Sequence, residues 1–101
     1  MIKKGIYRTV AIEICENRGA SNADYRCRPL PGQGVPVIMK VECSRPMRRE
    51  MVASRKVAIL KCQVIDKEGG TEFLYSHFSW PYKLVSRDEA LDMIAQHKLG
   101  F

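Results

Sequence analysis

The chain has 101 residues, of which 46% are apolar and 28% are charged, a composition that suits one compact domain with its own core. No apolar run approaches the roughly 20 residues of a membrane span. Arg8 and Glu13 interrupt the apolar segment that a signal peptide would need after its basic start. We therefore expect a soluble, cytoplasmic, single domain over residues 1–101 that does not contact a membrane.

The net charge of +6 is unevenly distributed along the chain. Through Lys61 there are 13 lysines and arginines against 5 acidic residues, a net charge of +8, and from Cys62 onward there are 4 against 6, a net charge of −2. Because basic surfaces attract phosphates at long range, this asymmetry favours nucleic acid or another polyanion as the partner. The simpler alternative is that the charge serves solubility alone.

The four cysteines lie at positions 15, 27, 43 and 62. This spacing contains no Cys-x-x-Cys pair, so it favours neither a zinc ribbon nor a dense disulfide framework. We expect reduced thiols that pack as small apolar side chains. A metal site formed by Cys15, Cys43, Cys62 and His77 would require all four side chains to share one face. We expect no metal and no cofactor.

The first predicted strand runs from Ile6 to Glu16, where apolar and other residues alternate with a period of two. One face carries Ile6, Val10, Ile12 and Ile14. From residue 18 to 34 the periodicity stops and prolines and glycines accumulate, so we predict a long flexible loop. Tyr25 lies there among charged residues, an arrangement typical of a recognition surface.

A second strand is predicted for Val35–Cys43 by the same alternation. A basic connection follows over residues 44–56. Pro46 suits the first position of a helix, and Met47 and Met51 would share a face at a spacing of four, so two helical turns are favoured. A disordered basic loop is the alternative.

Two apolar runs, Val57–Ile65 and Phe73–Trp80, flank a glycine pair at Gly69 and Gly70 and predict a β-hairpin. A two-residue turn at the glycines would place Ile65 opposite Leu74 and Cys62 opposite His77. A longer loop would place Cys62 opposite Leu74. We favour the first register because it pairs large apolar side chains across the strands.

A C-terminal helix is predicted from Arg87 to Leu99. Ser86 and Glu89 form a capping box before it, and Gly100 supplies a stop. Phe78 and Trp80 share one strand face and are expected in the core beneath this helix. The predicted fold is therefore α+β, a small antiparallel sheet of about four strands with the C-terminal helix packed on one face.

The densest group of cations supplies the candidate polyanion site. Arginine predominates in it, and its planar guanidinium suits bidentate contact with phosphate. The candidates are Arg26, Arg28, Arg45, Arg48, Arg49, Arg55 and Lys56. Aromatic rings stack on unpaired bases, and Tyr25 and Tyr75 are the candidates for that role.

Catalysis has weak support in the sequence. Cys62 and His77 are the one nucleophile and base that the favoured register brings together, and no third group to orient the imidazole is evident. We therefore expect no catalytic residues and no enzyme activity. The sequence favours a small basic binding module for nucleic acid or another polyanion. The alternative is a homodimeric protein-interaction domain or a domain that binds a small molecule between helix and sheet.

Overall fold

The computed structural model describes residues 7–16, 25–66 and 72–100. These residues form six strands and two helices, and the predicted α+β class is confirmed. In chain order the elements are β1 (Tyr7–Glu16), β2 (Tyr25–Pro29), β3 (Lys40–Glu42), α1 (Arg45–Ser54), β4 (Val57–Asp66), β5 (Glu72–Tyr75), β6 (Tyr82–Val85) and α2 (Arg87–Ala95).

Five of the strands close into a barrel, so the predicted open sheet of about four strands is wrong. The strands follow the order β1-β2-β3-β5-β4, and pairing between β1 and β4 completes the cylinder. Strands β3 and β5 are parallel and the other pairs are antiparallel. The spatial order β4-β1-β2-β3 is a Greek key whose long connection contains α1. Strand β6 pairs with the first half of β4.

The barrel interior is filled by alternate residues of its strands, since successive side chains of a strand point to opposite faces. Val10, Ile12, Leu60 and Leu74 are fully buried in one cluster. The alternation predicted for β1 is therefore confirmed, with Val10 and Ile12 facing inward.

Helix α1 packs against this interior cluster through Met47 and Met51, both buried. Ser44 caps its start by accepting a hydrogen bond from the Met47 backbone N–H. Arg55 ends it in a left-handed conformation with φ of 59°. The helical alternative for the basic connection is confirmed, and the shared face of the two methionines is the reason that it forms.

Helix α2 packs on the outside of the barrel. Ala90 and Ile94 contact a second buried cluster that includes Ala11 and Ile59 from the outer face. The predicted cap is confirmed, because the Ser86 hydroxyl accepts a hydrogen bond from the Glu89 N–H at 3.1 Å. The helix ends at Ala95 instead of Leu99, because the backbone turns at His97, whose φ is 56°.

Two predicted segments differ from the structure. Strand β2 lies inside the region predicted to be a long loop, and Leu30 continues its pairing by donating to the Ala11 carbonyl at 3.0 Å. The loop prediction for residues 18–24 lies outside the described residues. The strand predicted for Val35–Cys43 is reduced to β3, because the chain turns before it and the Met39 N–H donates to the Pro36 carbonyl at 3.0 Å. Ile38 lies in this turn and is 89% exposed.

The hairpin between β4 and β5 has neither of the two predicted registers. Val64 lies opposite Leu74, and Ile65 lies opposite Phe73. This register keeps Val64 and Leu74, both buried, on the inner face. The favoured prediction paired Leu74 with Ile65, which would have exchanged the inner and outer faces of one strand. The predicted Gly69-Gly70 turn lies outside the described residues.

Candidate nucleic-acid interface

Arg26 and Arg28 project together from the outer face of β2. Between them Cys27 is 3% exposed and faces the barrel interior, while both arginines are exposed. This alternation of charged and buried residues is the ordinary pattern of a strand with one solvated face. The structure therefore brings two of the seven predicted cations side by side on a rigid element.

Strands β3 and β5 continue this outer face. Cys27 pairs with Val41, so the exposed Lys40 and Glu42 on either side of Val41 lie beside the two arginines. Lys40 in turn pairs with Phe73 of β5. Phe73 and the arginines are two strand spacings apart, with β3 between them, a distance of roughly 10 Å. We call the surface formed by Arg26, Arg28, Lys40 and Phe73 the basic face.

Glu13 partly neutralises the basic face. Its carboxylate accepts hydrogen bonds from Arg28 Nε at 3.1 Å and from Arg87 Nε at 2.8 Å. The Glu13 side chain is 12% exposed, whereas that of Arg28 remains 52% exposed. Lys40 is 3.6 Å from Glu42, and its side chain is 65% exposed. The side chains of Arg28 and Lys40 therefore keep more than half of their surface available to a second anionic partner.

The five remaining predicted cations belong to α1 and its end. Arg45 and Arg49 are exposed on the helix. Arg48 lies close to the thiol of Cys43, directly after β3, and contributes to lowering its pKa. The start of α1 therefore adjoins the end of β3. Arg55 and Lys56 lie past the other end of the 10-residue helix, roughly 15 Å away, so they stand apart from the basic face.

An aromatic surface occupies the outside of the barrel next to the basic face. Trp80 packs edge-on against Tyr7 and Tyr75, with ring centroids 5.2 and 5.7 Å apart. Lys61 Nζ lies 4.4 Å from the centre of the Tyr7 ring, in a cation–π arrangement. We call the group formed by Tyr7, Tyr75, His77, Phe78 and Trp80 the aromatic surface.

A tight turn after β5 presents Phe78 to solvent. The Trp80 N–H donates to the His77 carbonyl at 3.0 Å and closes the turn. His77 Nδ1 accepts a hydrogen bond from the Ser79 N–H at 3.1 Å, which fixes the imidazole ring. The Phe78 ring stacks on that imidazole at 4.4 Å and is 77% exposed. A large ring is thus held in place and left uncovered.

The structure overturns the expectation that Phe78 and Trp80 fill the core under a helix. Strand β5 ends at Tyr75, so the alternation assumed for these two residues does not continue to them. Tyr75 lies on the outer face, in edge contact with Trp80. Only the backbone of Tyr25 is described, so its predicted stacking role lies outside the described part of the structure.

Sequence reasoning proposed Tyr75 for stacking, and it missed Lys40 and three other members of the aromatic surface, Tyr7, Phe78 and Trp80. A signal was present, because Ser76, Ser79 and Pro81 interrupt the apolar run as turn residues do. Strand β2 also had a signal, since Arg26, Cys27 and Arg28 alternate as a half-buried strand does.

The predicted pairing of Cys62 with His77 is wrong. Cys62 is 1% exposed inside the barrel, where its Sγ lies 3.7 Å from the Arg8 carbonyl, and His77 lies in the outer turn. Burial raises the pKa of Cys62 to about 12, which disfavours a reactive thiolate. Within residues 7–16, 25–66 and 72–100, no three potential ligands among His, Cys, Asp and Glu gather as a metal site.

Comparison of the chain with protein-family models, with curated proteins and with solved structures found no significant match. Neither of the two helices in the described residues has the length and apolar character needed to cross a membrane.

Proposed function

We propose that this protein binds single-stranded nucleic acid, with the phosphates on the basic face and the bases on the aromatic surface. The observation that carries the proposal is the row formed by Arg28, Lys40 and Phe73 on three neighbouring strands. Phe73 in this row is half-buried, and Tyr7 and Phe78 of the aromatic surface are exposed. Cations beside accessible rings supply the two interactions that nonspecific binding of single strands requires. The positive first part of the chain, net +8 through Lys61, supports the same partner.

The architecture of the barrel agrees with this proposal. A five-stranded Greek-key barrel resembles the OB-fold, an architecture that binds oligonucleotides on its second and third strands. In this chain β2 and β3 carry Arg26, Arg28 and Lys40. Because one fold hosts many functions, the resemblance supports the proposal only together with the charges and rings of the site.

The exposed rings favour single strands over duplexes. Bases in a duplex stack on each other and present only their edges and phosphates, so Phe78 and Tyr7 would gain little from duplex DNA. Unpaired bases can lie on such rings, and each stacked base contributes about 1–3 kcal/mol. Lys61, next to Tyr7, places one more cation at this surface.

A salt titration of binding to a fluorescent oligonucleotide of about 20 nucleotides tests the proposal. We expect affinity to fall steeply with salt, because bound cations release counterions. The Arg26→Ala/Arg28→Ala variant should bind more weakly, and its slope of log affinity against log salt should be smaller by roughly 1.4. The matched control, Lys83→Ala/Lys98→Ala, removes the same charge from β6 and from beyond α2. Equal losses in both variants, or no binding at low salt, would reject the proposal.

A cleft between α2 and the barrel favours the alternative of small-molecule binding. It has a volume of about 460 Å³, and its lining includes Arg8, Gln33, Ile94 and His97. This size lies within the usual range for ligand sites, and the two basic side chains would suit a small anion. Small carboxylates or phosphates should then raise the midpoint of thermal unfolding of the wild-type protein. Loss of this effect in Arg8→Met would support the second function.

A further inference from the structure

Two of the four cysteines are in direct contact. The Sγ atoms of Cys27, on β2, and Cys43, directly after β3, lie 3.6 Å apart. A disulfide requires about 2.05 Å between the sulfur atoms, so they must move about 1.5 Å closer to bond. Cys27 is 3% exposed and Cys43 is half-buried, so a small reagent reaches Cys43 first.

The surroundings give the two thiols different roles. The hydrogen bond to Cys27 lowers the pKa of Cys43, and the nearby Arg48 guanidinium acts in the same direction against the opposing effect of burial. The same hydrogen bond raises the pKa of Cys27, and burial raises it further. The thiolate, which is the reactive form of cysteine, therefore forms on Cys43 while Cys27 keeps its proton.

We propose that Cys43 is a site of oxidation by hydroperoxides and that Cys27 is its resolving thiol. The Cys43 thiolate attacks one peroxide oxygen, the O–O bond breaks, and the hydroxide that leaves takes a proton to become water. Cys43 is then a sulfenic acid. The Cys27 sulfur displaces the hydroxyl group from the Cys43 sulfur, and this group leaves with the Cys27 proton as a second water. Two electrons pass from the two sulfurs to one peroxide, and a dithiol reductant reverses the change.

The Cys27–Cys43 disulfide would link β2 to the end of β3 on the inner side of the basic face. Cys27 lies between Arg26 and Arg28, so the covalent link fixes the strand that carries both arginines. It closes a short loop of the chain, and such links stabilise a fold mainly by restricting the unfolded state. We expect the midpoint of thermal unfolding to rise by roughly 5–15 °C on oxidation.

Intact-mass and peptide mapping after treatment of the reduced full chain with hydrogen peroxide at pH 7 tests this proposal. We expect a loss of about 2 Da and one linked peptide pair containing residues 27 and 43. Cys27→Ser should instead leave a sulfenic acid at position 43 that a cyclic diketone traps. Cys15→Ser and Cys62→Ser, the matched controls, should form the link at the unchanged rate.

Arg48→Gln tests the proposal without altering either thiol. We expect the Cys27–Cys43 link to form roughly three- to ten-fold more slowly, because a nearby cation favours the thiolate. Circular dichroism establishes that each variant is folded. Oxidation that begins at Cys15 or Cys62, a link between two chains, or a rate no faster than that of the urea-unfolded chain would overturn the proposal.

Discussion

The Glu13 carboxylate holds Arg28 at 3.1 Å through one oxygen and Arg87 at 2.8 Å through the other. It therefore joins β2 to the start of α2 and places a negative charge beside the basic face. If phosphates bind there, Glu13 competes with them for Arg28.

Replacing Glu13 by glutamine should strengthen binding to single-stranded DNA. The change removes one negative charge and releases Arg28 for phosphate, and we expect affinity to rise roughly two- to five-fold at low salt. The measurement is fluorescence anisotropy with a labelled oligonucleotide. Asp92→Asn removes the same charge from the exposed face of α2 and should change affinity little. Weaker binding by Glu13→Gln would show that phosphate does not approach Arg28.

Replacing Phe78 by alanine should weaken binding to single strands selectively. The ring is 77% exposed, so its removal should leave stability nearly unchanged. Loss of one stacked base should reduce affinity for single-stranded DNA by roughly 5- to 150-fold. Heparin, a polyanion without bases, serves as the control ligand in the same assay. Equal losses for DNA and heparin would argue against base stacking at this ring.

The side chain of Gln33 forms the hydrogen bonds to the β1 backbone that a neighbouring strand would otherwise form. Removing this side chain should destabilise the barrel. Its side-chain oxygen accepts from the Ala11 N–H and its side-chain nitrogen donates to the Ala11 carbonyl, both at 2.8 Å. Ala11 is fully buried, so Gln33→Ala leaves its N–H without this acceptor, whereas its carbonyl still accepts from the Leu30 N–H. We expect a loss of about 1–3 kcal/mol in the free energy of unfolding, measured with urea. Gln96→Ala, which removes an exposed amide, is the control, and a similar loss there would contradict this role for Gln33.

The thiol of Cys62 should make stability fall in alkaline solution. Its folded pKa is raised to about 12 from an ordinary value of 9.0, because it is buried. Below pH 9 the thiol is protonated in both states and has no effect. Above pH 9 the unfolded thiol ionises first, so the folded state loses stability as the pH rises toward 12.

The difference between the wild-type protein and Cys62→Ala isolates this contribution, because other ionising groups are common to both. By pH 10.5 the wild type should lose about 2 kcal/mol relative to the variant. Urea unfolding at a series of pH values from 7.5 to 10.5 measures it. A difference that does not change with pH would mean that Cys62 ionises normally in the fold.

Local pattern predicted the elements whose contacts lie close in sequence. The alternation in β1 and the spacing of Met47 and Met51 report directly which side of each element is buried. The capping of α2 depends on Ser86 and Glu89, three residues apart. Each of these features is decided within a few residues, and each is confirmed.

The barrel could not be predicted because its closure depends on distant pairs. Strand β1 pairs with β4 across more than 45 residues, as Tyr7 with Gln63 and Ile12 with Ala58, and no local signal encodes that choice. The predicted strand to Trp80 failed for a related reason. Alternation was extrapolated past Tyr75, where Ser76 instead donates to the Lys61 carbonyl and the chain turns outward.

The candidate site combines both kinds of information. Cation counts indicated an anionic partner, but only the pairing of β2 with β3 places Arg26 and Arg28 beside Lys40. The aromatic surface joins Tyr7 to Trp80, 73 positions apart in sequence, through an edge contact of 5.2 Å. A contact of this kind becomes visible only when the strand order is known.

Amide chemical-shift mapping of the isotope-labelled protein during titration with single-stranded DNA tests the central claim most directly. We expect the largest shifts at Arg26, Arg28, Lys40 and Tyr75 and at the indole N–H of Trp80, and we expect them to shrink as salt is added. Shifts confined to the cleft at Arg8 and His97, or none at low salt, would contradict binding at the basic face and the aromatic surface.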